Sequence, residues 1–508
     1  MNSSFLLHAG RLGLLGAALL LGSPAEAQKT SATAKTQAKA ADGRAGLGAI
    51  READLRRDLF ALSDDHFRGR EAGTLDELRA SVWIAEQARA IGLEPAGDDG
   101  TFFQFFQIQR TRLTAASRVS IGSRALVLNQ DAMVVAPVNA AVTAPLVYAG
   151  TATPAELSKA DLKGKAVAFV VSGQPTNGIS YRRYLTATIR DRAAELVKAG
   201  AVAVVVVSDA RAQDIYDHWG SGYERGRYDL PGGPNALVTT QAPTVWLPAS
   251  ALPAVQAAVG QPFTARLEVE SFLYPSVNIV AKLPGTDAQL RNEYVLFSTH
   301  QDHDGVRKPV AGDSIRNGAD DNATGCAATL ALMRAFRQQP ARRSALFVFH
   351  GAEERGLLGS RYYSAHPTVP RQAIAAVLNL EMIGRNAPDS AALLGAQRPH
   401  RNSLDLVRTA WAANAAGPKF KLDTLWDQPT HPEGWYFRSD HLPYARLGIP
   451  AVMFTTLLHP DYHTPRDEPA TINIAKLAAV TRWAYLTGWA VANRPARPVP
   501  DPDFKLER

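Results

Sequence analysis

Residues 294–325 read YVLFSTHQDHDGVRKPVAGDSIRNGADDNATG, and the fold turns on this stretch. It begins as an apolar, β-rich run over 294–298 and breaks abruptly into polar residues carrying His300, Asp302, His303 and Asp304. A loop containing Gly and Pro follows, then Asp320-Asp321-Asn322, and a helical pattern starts at Gly325. Open α/β sheets bind their ligands where a buried strand delivers polar groups at its C-terminal end. H-x-D alone is a common triplet, so its meaning depends on what lies downstream.

Downstream, the pattern of strand, loop and helix repeats. Strands are predicted over 277–283, 294–298, 345–349, 375–380 and 451–455, with helical segments such as 327–336 between them. Near-continuous apolar strands alternating with helices predict an α/β fold: three layers, with a mostly parallel central sheet covered on both faces. Four of these strands run into metal-competent residues: His300 and Asp302; Glu353 and Glu354; Glu381; and a loop bearing His459, Tyr462 and His463. Asp320 lies in the loop between the first of them and its helix. In a parallel sheet all these ends open on one edge, so the groups converge. Any one acid could simply cap a helix or solvate a loop; five at strand ends point to a site. Imidazoles and carboxylates without thiolates suit Zn²⁺ in an open, catalytic centre, and also suit two ions sharing a carboxylate.

The rest of the chain sets the bounds. At 508 residues two or three domains are expected, and 46% hydrophobic with 20% charged residues is a globular balance. Arg11, the apolar run 12–21 and Ala25-Glu26-Ala27 read as a cleaved export signal over 1–27, followed by a flexible spacer over 28–45. Export to the periplasm or medium is expected, and no later segment is long and apolar enough to span a membrane. The single cysteine, Cys326, cannot form an intrachain disulfide and should pack as a small hydrophobe. Net charge is +7, but five basic and two acidic residues lie in the first 44 positions, leaving +4. No basic cluster interleaved with aromatics marks a nucleic-acid surface. Residues 46–124 carry two helical patterns, the turn-like SDDHFRGREAGT and an aromatic strand start at Phe102–Phe106. Over 125–265 the texture shifts to short strands around a helix at 190–199, with a long polar, Gly-rich loop expected over 211–240. We read this block as a small α/β module inserted into a larger domain whose main part is 266–493, with a Pro-rich tail over 494–508.

The strings STHQDHDG, NGADDNATG, FHGAEERGLLGS, NLEMIGR, SDHLPYARLGIPAVMF and DYHTPRDEP resemble metallopeptidase family twenty-eight, in order and spacing from about 276 to 493. That family holds co-catalytic zinc aminopeptidases, with glutamate carboxypeptidase and the transferrin receptor as relatives. The insertion, with DLKGKAVAFVV and AGAVAVVVVSD, resembles a protease-associated domain. The resemblance implies two zincs bridged by Asp320, with His463 and Glu354 completing one site and His300 and Glu381 the other. Glu353 would be the general base for the attacking water, Asp302 would orient His300, and Tyr462 would polarise the scissile carbonyl. The family's non-proline cis bond would follow the bridging residue, between Asp320 and Asp321. Many members carry Asp where this chain has Glu381, so the ligand arm is one methylene longer here.

Other residues are given quieter readings: His303 an outer or surface group, His350 a packed histidine, and Trp435, Tyr436 and Phe437 a pocket wall or core. Arg385 and Arg438 are candidates for a substrate carboxylate. The expected activity is exopeptidase action on peptides, as an aminopeptidase by family frequency. The rival readings are a glutaminyl-cyclase-like acyltransferase on the same fold and a receptor-like binding protein without catalysis.

Overall fold

β4 (Tyr294–His300) lies in the middle of a ten-stranded sheet, between β5 (Ser344–His350) and β6 (Ile374–Glu381), with β9 (Ala451–Thr455) beyond β6. All four are parallel, and from Val295 onward every residue of β4 is buried, as is every residue of β5, β6 and β9. Strands covered on both faces need apolar side chains at every position, which is how these runs read. Register places His300 opposite His350, and Glu381 opposite Thr455, so all four strands end on one edge.

The alternation of strand and helix holds for this centre, and the flanks are antiparallel. β3 (Val269–Leu283) runs against β5, β1 (Phe103–Leu113) against β3, and β2 (Arg227–Asp229) against β1. On the other side β7 (Ser390–Leu394) is antiparallel to β9 and parallel to β8 (Lys421–Asp423). On the first flank β1 and β3 pair directly along eleven residues of β1, as a two-stranded antiparallel stem.

The computed structural model describes residues 44–157, 161–173, 181–235 and 242–506; the export signal and most of the spacer lie outside the described residues. Ala45–Arg508 fold as one compact unit. One face of the main sheet is covered by α1 (Glu52–Leu62), α2 (Leu75–Ile91), α5 (Gly325–Gln338), α7 (Leu404–Ala416) and α8 (Ile474–Asn493). Their apolar stripes, including Leu55, Ile84, Leu330 and Trp483, share a core with Phe297 and Phe347 of the sheet. α2 begins on a Thr74 cap that accepts the Glu77 N–H and stops at Gly92 with φ +90°. The opposite face packs Tyr363 of α6 (Leu358–Ala365) and Tyr444 on Leu296, Leu346 and Val377.

Residues 118–267 build a second, eight-stranded sheet, with cores on both faces. α3 (Tyr181–Lys198) covers one face; it begins earlier than the helix read from the sequence. The stretch 211–240 is not the long loop expected. It opens with α4 (Ala210–Glu224), seated through buried Ala212 and Tyr216, and continues into β2, which tertiary pairing with β1 holds as a strand despite the glycines on either side of it. Residues 236–241 of that stretch lie outside the described residues. Among the described residues no helix is long and apolar enough to cross a membrane.

Candidate metal centre

The strand ends deliver two groups directly: His300 closes β4 and Glu381 closes β6. The rest come from turns that must bend sharply back over the sheet edge. Gly318 opens the turn 319–324 at φ +55°, where a Cβ would strike the Asp321 carbonyl and the His303 ring. Only glycine fits that position. Arg70, from the SDDHFRGREAGT segment, is fully buried and donates to the carbonyls of Leu62 and Asn317 (2.7 Å), Gln301 (2.8 Å) and Gly318 (3.0 Å). It ties together the two loops that carry the candidate ligands, and nothing in the sequence singled it out.

Two clusters result, and Asp321 belongs to both: His300, Asp321 and Glu381 in one; His303, Asp321, Glu354 and His463 in the other. In the first, His300 Nε2 lies 3.2 Å from Asp321 Oδ1 and 3.2 Å from Glu381 Oε1. In the second, His463 Nε2 lies 3.1 Å from Asp321 Oδ2 and 3.2 Å from Glu354 Oε2. Glu381 thus reaches the cleft despite its extra methylene, and its other oxygen accepts the Ser439 hydroxyl at 2.6 Å.

Asp320, expected at the shared position, is in neither cluster. Its carboxylate turns away, accepting the Gly384 N–H at 2.7 Å and lying 3.5 Å from His459 Nε2. Asp467 sets this register by accepting the backbone N–H of Asp320 (3.0 Å) and of Asp321 (3.1 Å), which leaves Asp321 facing the cleft. The non-proline cis bond likewise lies one residue further on, between Asp321 and Asn322. His303 is not at the surface: it is fully buried, its Nδ1 is 2.8 Å from Glu354 Oε1, and its Nε2 has no partner.

Asp302 is placed differently from a simple orienter of His300. Its backbone carbonyl, 3.1 Å away, meets His300 Nδ1, while its carboxylate accepts the N–H groups of Glu353 (3.0 Å) and Glu354 (3.4 Å). The same residue therefore fixes the His300 ring and the turn that aims both glutamates. Asp304, which the sequence reading left without a role, lies 3.3 Å from His463 Nδ1. Tyr462 stacks beside His463 with ring centroids 3.9 Å apart, and its hydroxyl accepts from Arg438 Nη2 at 3.0 Å. Arg438 also pairs with Glu433 at 2.7 Å; Arg385 pairs with Asp461 at 2.7 Å. Trp435 and Tyr436 are core, and Phe437 carries the Arg183 guanidinium of α3 at 4.6 Å. His350 is packed and hydrogen-bonded to Tyr444 (3.2 Å), and Cys326 is buried in α5.

The electrostatics are those of acids crowded into a dry cleft. Burial, opposed by His300 and reinforced by Glu381, Glu354 and Asp440, holds the Glu353 carboxyl well above its ordinary value. Burial and the Glu354 charge act to raise Asp321, but hydrogen bonds from His300 and His463, with the His303 charge, hold it below the usual range. Burial raises Asp302 to about 6 against the His300 charge. Buried carboxylates of this density are stable when paired or metal-bound. A His/carboxylate donor set around one shared carboxylate, with the buried Nε2 of His303 unsatisfied, fits divalent cations such as zinc.

Fold and donor set together place a candidate metal centre on the C-terminal edge of an α/β sheet. Residues 278–487 match the model of Peptidase family M28. The aminopeptidase YwaD of Bacillus subtilis is 30% identical over 169 residues, covering 32% of this chain and 34% of that protein. A probable zinc metalloprotease of Pyrenophora tritici-repentis is 24% identical over 269 residues, covering 45% of this chain and 60% of that protein. The chain thus spans well under two thirds of these relatives. Among solved structures, the aminopeptidase from Aneurinibacillus sp. strain AM-1 superposes with a TM-score of 0.61 at 22% identity, covering 91% of this chain and 99% of that one. A zinc aminopeptidase from Bacillus subtilis gives a TM-score of 0.55 at 18% identity, covering 88% and 97%. These two share the fold.

Proposed function

We propose that this chain is an exported zinc-dependent exopeptidase that removes N-terminal residues from peptides. The observation that carries the reading is the pair of His/carboxylate clusters meeting at Asp321. The family match and the relatives' names support the chemistry. On this reading His300, Glu381 and Asp321 would hold one zinc, and Glu354, His463 and Asp321 would hold a second. His303 orients Glu354 through its 2.8 Å contact. Zinc bound there would supply Lewis acidity for a carbonyl and for water. Glu353, adjacent to a ligand and outside both clusters, takes the attacking water's proton and passes it to the leaving amine. Tyr462, braced by Arg438, donates to the carbonyl oxygen as negative charge develops there. The sheet spanning 118–267 is, in this proposal, the inserted protease-associated-like domain, and the first 27 residues are the export signal.

Incubating the zinc-loaded mature protein with a defined peptide set tests the reading. Stepwise release of free amino acids from the N-terminus is expected. Shortening from the C-terminus would replace the aminopeptidase reading with a carboxypeptidase one. Pyroglutamate formation from N-terminal glutamine would favour the acyltransferase. Failure to bind zinc or to process any peptide would leave the receptor-like reading.

A further inference from the structure

Beside the metal cleft, a cavity of about 330 Å³ is walled by Arg225, Arg227, Tyr228 and Asn235 on one side and by Glu354 and Arg355 on the other. The first group belongs to the segment that leaves the second sheet after α4 and pairs, as β2, with the main sheet. The cavity therefore exists because the 118–267 region reaches back over the catalytic edge.

Its charge is unbalanced. Arg225, Arg307 and Arg355 surround two carboxylates, Glu71 and Asp304. Arg307 takes the short contacts, 3.2 Å to Glu71 and 2.9 Å to Asp304. Arg225 Nη1 stands 3.5 Å from Glu71 and 3.6 Å from Asp304. Arg355 Nη2 stands 3.6 Å from Glu71, and its Nη1 stands 3.5 Å from Asp304. Asp304 is further shared with His463 at 3.3 Å. Arg225 Nη1 and Arg355 Nε and Nη2 consequently have no hydrogen-bond acceptor, although these side chains are only 16% and 7% exposed. Buried donors left without acceptors cost free energy, and a guanidinium is the group best shaped to take a carboxylate. Arg227 adds a further cation on the wall while donating to the Val135 carbonyl. The one acid on the wall, Glu354, is already engaged by His303 and His463.

We infer that this cavity is a subsite for a carboxylate of the peptide, held by Arg225 and Arg355. The inference rests on the peptidase reading above and names its substrate class: peptides bearing a negative charge close to the scissile bond. The charge has two possible origins, an acidic side chain or the free C-terminus of a dipeptide.

Three matched pairs separate them on the zinc-loaded full chain: glutamyl against glutaminyl anilide, Ala-Glu-amide against Ala-Gln-amide, and Ala-Ala against Ala-Ala-amide. At least one charged member should be favoured about tenfold or more in kcat/KM, the size of one charge-assisted hydrogen bond. In Arg225→Gln that preference should collapse towards parity, with melting temperature and zinc content as in the wild type, and Arg225→Lys should recover part of it. No preference in any pair, or a preference that survives Arg225→Gln, overturns the inference. Calorimetric binding of the same pairs to zinc-loaded Glu353→Gln reads the cavity without turnover. Tighter binding of a charged member, lost when Arg225→Gln is added, supports the subsite even if the wild type hydrolyses nothing, which would sink only the peptidase reading. Equal binding of charged and neutral members overturns the subsite.

Discussion

The edge of the main sheet and the interior of the second sheet are both buried, and they are held together by opposite means. In the second sheet, Leu146, Val205, Val245 and Phe263 meet in an apolar core whose stability comes from area removed from water. At the candidate metal site the buried side chains are His300, Asp302, His303, Asp320, Asp321 and Glu381, and their positions are set by polar contacts to loop backbone and to one another. An apolar core tolerates exchange of one aliphatic group for another of similar volume. A polar cleft depends on which atom faces which, so a one-residue change of register alters its chemistry.

The largest effect should follow from breaking the polar cleft at its shared member. Asp321→Ala should remove both metals and abolish activity, whereas Asp320→Asn should keep near wild-type zinc content. Elemental analysis of the two variants decides between the neighbouring aspartates, and loss of metal only in the second would reverse the assignment. Next comes the pair of glutamates. Glu353→Gln keeps shape and metal but cannot accept a proton, so turnover should fall by about 10²–10⁴-fold with zinc stoichiometry unchanged. Glu354→Gln should instead weaken zinc binding. Equal zinc titrations for the two would erase the distinction.

Leu146→Ala probes the other region. Removing a buried Leu should cost about 2–5 kcal/mol of stability, read from denaturant unfolding. Zinc content at the same temperature should not change; a joint loss would show that the two regions are not independent. The smallest change concerns Glu77, where the two kinds of burial meet. Burial, with the Asp302 charge, raises this carboxyl from 4.5 to about 8 against hydrogen bonds from Ser276 and Gly73. Because the folded state holds the proton more tightly than the unfolded one, this group's contribution is complete below pH 4.5 and is lost as pH rises towards about 8. Glu77→Gln should flatten the fall in melting temperature across that window; parallel curves for wild type and variant would show that Glu77 is not protonated there.

The same contrast explains what could be read from the sequence. Apolar strands announce themselves by run length, so β4, β5, β6 and β9 and the residues at their ends were visible. Asp320 and Asp321 are chemically identical neighbours, and only Asp467, from 146 residues downstream, decides which one faces the cleft. His303 follows His300 by three positions, which reads as a surface turn. Its N–H donates to the Arg70 carbonyl at 3.2 Å, and that contact folds it inward. Arg70 and Asp304 act through partners far away in the chain, so no local pattern marks them. The stretch 211–240 misled for the opposite reason: its glycines suggested a loop, while buried contacts and pairing with β1 impose structure.

The stem formed by β1 and β3 makes the second sheet separable from the first. Leu113 and Val269 are direct partners, and Thr114 donates to the Glu268 carbonyl at 2.8 Å, so the chain leaves for the second sheet and returns at a single rung of the ladder. A two-residue turn could close that rung without shifting either strand. The second sheet is thus a cassette whose loss would leave the register of the main sheet's edge in place. What such a loss would take with it is β2 and Arg225, the part of the cassette that has become wall.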